Sequence, residues 1–290
     1  MPEANLTKAE QAGETLYAKT ADGVRLYCET RGSGPPIVLV HELGGSHASF
    51  HFQVDAFSPR FFCVAYNARG YPPSDVPPGR ESYSQDIAAT DVGAVLDACA
   101  LRDAHLIGVS MGAAAVLQFA LRAPERARSI VLCSIGSGSD QPQGEYKAGM
   151  EAQADFAETA GARALAERML QSPTRHRLKD KSPAEYQKFI EQLAAVSPLG
   201  IANTMRGVQA RRPPIYAHRD RVAALKVPAL IVAGDEDEPC LKPSRFLHQT
   251  LPGAKLAIVP RCGHLVNIEE PKIFNTAALG FIENCERTRR

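Results

Sequence analysis

The pentapeptide Gly108-Val109-Ser110-Met111-Gly112 constrains this chain most, because of what flanks it. Before it, Ala104–Val109 is a short apolar run of the kind that forms a strand covered on both faces. After it, Met111–Arg122 carries helical spacing and stops at Pro124. A chain that turns from strand to helix within one residue exposes that residue's side chain at the C-terminal edge of the strand. Glycines are needed on both sides, since a Cβ in so tight a turn would collide with backbone. The helix N-terminus adds positive potential where an oxyanion would form. The pattern predicts Ser110 as an exposed nucleophile.

The rest of the chain supplies the sheet this turn needs. Thr15–Thr20 and Val24–Thr30 read as strands joined through Asp22-Gly23, a hairpin signal. Ile37–Val40, Phe61–Tyr66, Ser129–Ser134, Ala229–Ala233 and Ala254–Val259 read as further strands. Helices are expected at Ser84–Ala100, with Ser84 as N-cap, at Pro243–Thr250 and at Pro271–Glu283, the two prolines suiting first-turn positions. Such alternation predicts a mostly parallel eight-stranded sheet with helices on both faces. Residues 136–220 break the rhythm. They hold helical stretches (Glu151–Ala160, Arg163–Leu170, Ala184–Ala195, Ile201–Ala210) and no strand, which predicts a helical cap inserted after the sixth strand. The expected organisation is a loose tail over 1–14, a core over 15–135 and 221–290, and this cap.

A serine hydroxyl needs a base. Of eight histidines, His264 follows the strand Ala254–Val259 and can reach the same sheet edge as Ser110; His47, His51, His105, His176, His218 and His248 have no such placement. The base needs an orienting carboxylate, and Gly234-Asp235-Glu236-Asp237-Glu238 offers four acids after Ala229–Ala233. Asp237 is the first choice, Asp235 and Glu238 are fallbacks, and Asp140 is a remote alternative. The order Ser…Asp…His suits this arrangement. His41-Glu42-Leu43-Gly44-Gly45 follows Ile37–Val40, where a loop would supply one oxyanion-binding N–H. Leu43 and Met111 are assigned as those donors, and His41 is expected to brace the loop. His41, Glu42, Met150, Phe156 and Met205 are the candidate pocket residues, in a pocket expected to be mostly apolar.

Composition narrows the partners. A formal net charge of +1 gives no reason to expect nucleic acid or an anionic membrane. No apolar run approaches the roughly 20 residues of a membrane span. The polar N-terminus lacks a secretory pattern, so a cytoplasmic protein is expected. Seven cysteines at scattered spacing, without a CxxC pair, predict free thiols. No nucleotide loop, metal-ligand cluster or cofactor-lysine motif appears, so no cofactor and no metal are expected. A homo-oligomer is compatible with the sequence.

HELGG at 41–45, NARGYPPSD at 67–75, GVSMG at 108–112, GDED at 234–237 and GHLVNIEEP at 263–271, in that order, resemble the α/β-hydrolase superfamily from about Thr15 to Phe281. The resemblance implies the α/β-hydrolase fold, a Ser110–His264–Asp237 triad and a small-molecule carbonyl substrate. Two departures stand out: Glu42 occupies a position usually held by glycine, and Asn67 one usually held by an acid. Arg69 would then lack its usual carboxylate neighbour, a place Glu42 could fill. The stretch CGHLVNIEEPKIFN looks like the His loop of C–C bond hydrolases of ring-cleavage products, though Leu265 stands where those often carry an aromatic residue. The serine nucleophile separates the chain from dehalogenases and epoxide hydrolases of this fold, which use Asp.

The expected function is hydrolysis of a carboxylic ester or lactone through an acyl-enzyme. The alternatives are C–C hydrolysis of a diketone-type acid, acyl transfer or a cofactor-free peroxidase-like activity, and a ligand receptor with little turnover. A basic cap residue aimed at a substrate carboxylate would favour the C–C reaction. Arg163, Arg168, Arg175, Arg206, Arg211 and Arg212 are all available, and the sequence does not choose among them.

Overall fold

The computed structural model describes residues 13–289. The expected tail over 1–14 falls mostly outside them, and Glu14 already belongs to the first strand. The strands are β1 (Glu14–Lys19), β2 (Arg25–Arg31), β3 (Pro36–Val40), β4 (Phe62–Tyr66), β5 (Ala104–Val109), β6 (Ala127–Cys133), β7 (Ala229–Gly234) and β8 (Lys255–Val259). They form one eight-stranded sheet in the order β1-β2-β4-β3-β5-β6-β7-β8. β2 pairs antiparallel with β1 and β4, and every other pairing is parallel.

The longer helices are α1 (His51–Phe57), α2 (Gln85–Ala98), α3 (Met111–Ala120), α4 (Gln143–Leu170), α5 (Arg177–Lys181), α6 (Pro183–Ala194), α7 (Pro198–Thr204), α8 (Arg219–Ala224), α9 (Glu238–Thr250), α10 (Val266–Glu269) and α11 (Pro271–Arg289). The central strands are buried at nearly every position, so alternate residues load opposite faces. On one face Val38, Val40, Leu106 and Ile231 pack with Val92 and Leu96 of α2, Val116 of α3 and Leu247 of α9. On the other, Ile37, Leu39, Ile107 and Val232 pack with Phe57 of α1 and with Phe274 and Ile282 of α11. Ser84 caps α2 as expected, its hydroxyl accepting the Ile87 N–H.

Some boundaries differ from expectation. Pro243 lies inside α9, not in its first turn, which Pro239 occupies. Packing outweighs the lost backbone bond there: a Cβ on Gly136 (φ +98°) would lie 2.4 Å from the Pro243 Cβ. The stretches expected at 151–160 and 163–170 are parts of α4, broken at Gly161 (φ 87°, ψ 163°). The helix expected over Ile201–Ala210 is α7 followed by a π-turn, Met205–Gln209. Position 220, taken as the end of the cap, falls inside α8.

Between β6 and β7 the chain forms α4 to α8 and no strand. Leu165, Met169, Phe189, Leu193, Ile201 and Met205 gather there with Leu43, Met111 and Leu265 into a third apolar cluster. This cluster joins the helical segment to the sheet edge that carries the strand ends. The approach of α3 to β3 fixes that edge: a Cβ on Gly112 would lie 2.0 Å from the Val40 carbonyl oxygen. Gly112→Ala is expected to lose about 3 kcal/mol in denaturant unfolding. Gly149→Ala, in open space on α4, should gain up to about 1 kcal/mol. Equal effects at the two sites would contradict this packing.

Candidate active site

Ser110 occupies the turn between β5 and α3 with φ 52° and ψ −108°, a backbone region that residues with a Cβ rarely adopt. The flanking glycines make the turn sterically feasible. A Cβ on Gly108 would lie 2.4 Å from the Gly112 carbonyl oxygen. The Ser110 N–H donates to the Cys133 carbonyl of β6 (2.8 Å), pinning the turn to the neighbouring strand.

His264 sits on the loop after β8, its Nε2 2.8 Å from the Ser110 Oγ. Its Nδ1 lies 2.8 Å from Oδ2 of Asp237, on the loop after β7. A carboxylate only accepts, so Nδ1 carries the proton and donates, which leaves Nε2 to accept the serine proton. All three residues are nearly buried, at 6%, 3% and 1% exposure. Burial alone would raise the Asp237 carboxyl, but the His264 charge and hydrogen bond outweigh it, holding that carboxyl below its usual range. The fallback acids are elsewhere. Asp235 is exposed and accepts the Cys262 N–H (3.1 Å), Glu238 is exposed, and Asp140 accepts from Tyr216 and Lys242.

Several residues that hold the His264 loop were not singled out in the sequence, although Glu269 falls within GHLVNIEEP. Ser134, after β6, donates its hydroxyl to the His264 carbonyl (2.7 Å). Glu269 accepts the N–H groups of Gly263 (2.8 Å) and Leu265 (3.2 Å). The His264 N–H donates to the Thr174 carbonyl (2.7 Å), so the helical segment touches the base directly. Cys240, fully buried in α9, donates its thiol to the Ser134 carbonyl (3.3 Å). Asp237, Cys240 and His264 are the one group of potential metal-ligand atoms found among the described residues. Two of those atoms, the His264 Nδ1 and the Asp237 Oδ2, are already bonded to each other.

The remaining candidates separate clearly. Leu43 and Met111 are buried beside the site, and neither N–H has a partner among the described residues. His41 does not reach the cavity. Its Nδ1 donates to the Glu42 carbonyl (2.7 Å) and its Nε2 accepts the Ala68 N–H (3.0 Å). Burial pushes its pKa down to about 4, so it braces the loop as a neutral ring. Glu42 is fully buried beneath the loop, one oxygen accepting the Ser49 hydroxyl (3.2 Å) and the other unpartnered. It does not pair with Arg69, whose guanidinium donates to Asp91 (2.8 Å) and Asp22 (2.7 Å). Arg69 thus has two carboxylates without the expected substitute. Asn67 accepts from the backbone N–H of His47 (2.7 Å).

Ser110, His264, Asp237 and Leu43 open on a cavity of about 320 Å3. Met150 and Met169 line it, whereas Met205 packs inside the third cluster and Phe156 lies under the Arg168 guanidinium (4.8 Å). The wall stays more apolar than polar in surface, but it carries more polar side chains than expected: Gln141, Tyr146, Gln153, Arg168, Arg175 and Gln209. Others of the segment's larger apolar side chains, Leu165, Phe189 and Met205 among them, pack toward one another in the third cluster.

The chain belongs to the alpha/beta hydrolase fold family, whose model matches residues 35–271. It is an enzyme of the hydrolase kind. It is 27% identical over 258 residues to 3-oxoadipate enol-lactonase 1 of Acinetobacter baylyi, covering 88% of this chain and 91% of that one. Over 295 residues it is 29% identical to the 2-hydroxy-6-oxononadienedioate/2-hydroxy-6-oxononatrienedioate hydrolase of Burkholderia vietnamiensis, covering 94% and 96%. The crystal structure of a hydrolase from Pseudomonas aeruginosa PA01 superposes with a TM-score of 0.80 at 25% identity, covering 93% and 99%. Among the described residues no helix is long and apolar enough to cross a membrane.

Burial raises the Glu42 carboxyl from 4.5 to about 6. Between those values the folded protein keeps a proton that the unfolded chain has released, so stability falls as pH rises through that window. Glu42→Gln cannot ionise. It is expected to exceed the wild type by about 2 kcal/mol above pH 7 and to match it near pH 4, in unfolding measured across that range. A gain that does not vary with pH would contradict this account of Glu42.

Proposed function

We propose that the protein hydrolyses a carboxylic ester or lactone by a serine mechanism. The observation that carries this reading is the continuous chain of hydrogen-bond contacts from the Ser110 Oγ through both nitrogens of His264 to Asp237, each link 2.8 Å. The Ser110 Oγ attacks the substrate carbonyl while His264 Nε2 takes its proton. The tetrahedral oxyanion is received by the N–H groups of Leu43 and Met111, each worth about 2.7–4 kcal/mol in the transition state. Collapse of the intermediate breaks the carbon–oxygen bond, and the imidazolium protonates the departing alkoxide. Water, deprotonated by the same nitrogen, then attacks the acyl-serine, and its proton returns to the Ser110 oxygen as the acid leaves. Asp237 holds the ring and stabilises the imidazolium. Residues 136–220 act as the cap, closing the cavity above Ser110 and shielding the acyl-enzyme.

A second reading uses the same nucleophile to cleave a C–C bond of a diketone-type acid. It is favoured by arginine on the cavity wall and by the likeness to the Burkholderia hydrolase. A panel of acyl esters, lactones and ring-cleavage diketones separates the two by which bond turns over.

A serine-directed phosphonate is expected to label Ser110 and abolish turnover, and Ser110→Ala to lose at least about 10³-fold in kcat. Labelling of another serine, or near-normal rates in the alanine variant, would overturn the assignment. Asp237→Asn should keep the fold, judged by circular dichroism, and lose about 10⁴-fold in kcat, because the amide favours the wrong imidazole tautomer. A larger loss in Asp235→Asn would move the acid by two positions.

A further inference from the structure

Arg175 differs from Arg177, Arg206 and Arg212 of the helical segment, whose guanidiniums are held by partners, and from Arg168, which lines the same cavity but lies over the Phe156 ring (4.8 Å). Arg177 donates twice to Glu236 (2.6 and 2.8 Å), Arg206 is held by Glu151, Asp155 and Glu158, and Arg212 donates to the Ser137 carbonyl (2.7 Å). Arg175 has no hydrogen bond or ion pair from its guanidinium among the described residues, and its Nε is buried without a partner. It lines the same cavity as Ser110 and His264. Its position is fixed, because the preceding carbonyl, of Thr174, accepts the His264 N–H at 2.7 Å. That carbonyl also lies 2.2 Å from where a Cβ on Gly263 would be, so the two loops touch.

A guanidinium stays charged at any physiological pH and costs free energy when shielded from water without donor partners. Asp237, Glu42 and Glu269 surround Arg175 closely enough to act on its charge. Each of them is engaged elsewhere, with His264, with Ser49 and with the N–H groups of Gly263 and Leu265. They offset the charge and leave the donors of the planar fork unused. Such a fork matches a carboxylate with two parallel hydrogen bonds. Gln141, Gln153 and Gln209 on the same wall offer neutral amides beside it.

We propose that Arg175 receives a carboxylate of the substrate, so that the compound attacked by Ser110 is itself an acid, with its anionic group set apart from the reacting carbonyl. The inference rests on the reading of Ser110 as the nucleophile. It holds whether the bond cleaved is C–O or C–C. Arg175 is on this account a specificity-determining residue that does not take part in the bond changes.

The test compares the 4-nitrophenyl monoester of adipic acid with its methyl diester, which differs only by the masked carboxylate. In the wild type, kcat/KM should favour the free acid by about tenfold or more, the range of a hydrogen-bonded charge pair. In Arg175→Gln that ratio should fall by about tenfold, chiefly through KM, and Arg175→Lys should recover part of it. A wild-type ratio of one or less overturns the proposal without any variant. An unchanged ratio in Arg175→Gln, with both esters falling together, overturns it in favour of a charge-compensating role. If the wild type turns over neither ester, the serine-hydrolase reading fails separately, and binding still decides the inference. Millimolar adipate should raise the Tm of the wild type and leave that of Arg175→Gln unmoved; no shift in the wild type sinks it.

Discussion

The turn at Ser110 is held in a left-handed backbone conformation that a serine would not choose, and the surrounding sheet is built to keep it there. The Ser110 N–H is tied to β6, α3 begins at the next residue, and the second helical residue, Gly112, lies against the end of β3. The same contacts aim the hydroxyl outward and leave the Met111 N–H unused. The strain is sustained by the apolar strands on either side, which bury both sheet faces around β5. Reactivity at the edge thus depends on rigidity in the centre.

Charge is arranged around this point in an unusual proportion. Three nearly buried carboxylates, Glu42, Asp237 and Glu269, lie near one guanidinium, that of Arg175. Asp237 stays ionised because His264 faces it, whereas Glu42 has only a serine hydroxyl and is pushed toward its neutral form. Two acids separated by a short distance in the fold are therefore set to different protonation states by their immediate partners. The ionised one faces the His264 ring, and the other fills space beneath the loop after β3.

The sheet and the meeting of Ser110, His264 and Asp237 at one edge were legible because each depends on a local rule. Short apolar runs mark the inner strands, Asp22-Gly23 marks the hairpin of the first two, the glycines around Ser110 mark the turn, and His264 and Asp237 stand just past strand ends. The residues that steady them were not legible. Ser134, Thr174 and Glu269 act through one hydroxyl, one carbonyl and one carboxylate whose partners are far away in sequence or set by a loop's curvature. The number of polar groups on the cavity wall was not legible for a related reason. Helical periodicity shows that the segment between β6 and β7 has an apolar side, but not whether that side meets the cavity or the segment's own neighbours. Leu165, Phe189 and Met205 meet their neighbours. The boundary at Pro243 failed because its packing against Gly136 outweighs a missing backbone bond.

The bond from the His264 N–H to the Thr174 carbonyl ties the base to the segment that roofs the cavity. An outward swing of that stretch large enough to admit a ligand must release the imidazole's own backbone. A substitution that shifts Thr174 is thereby felt at His264, ninety positions along the chain, without any side chain passing the message.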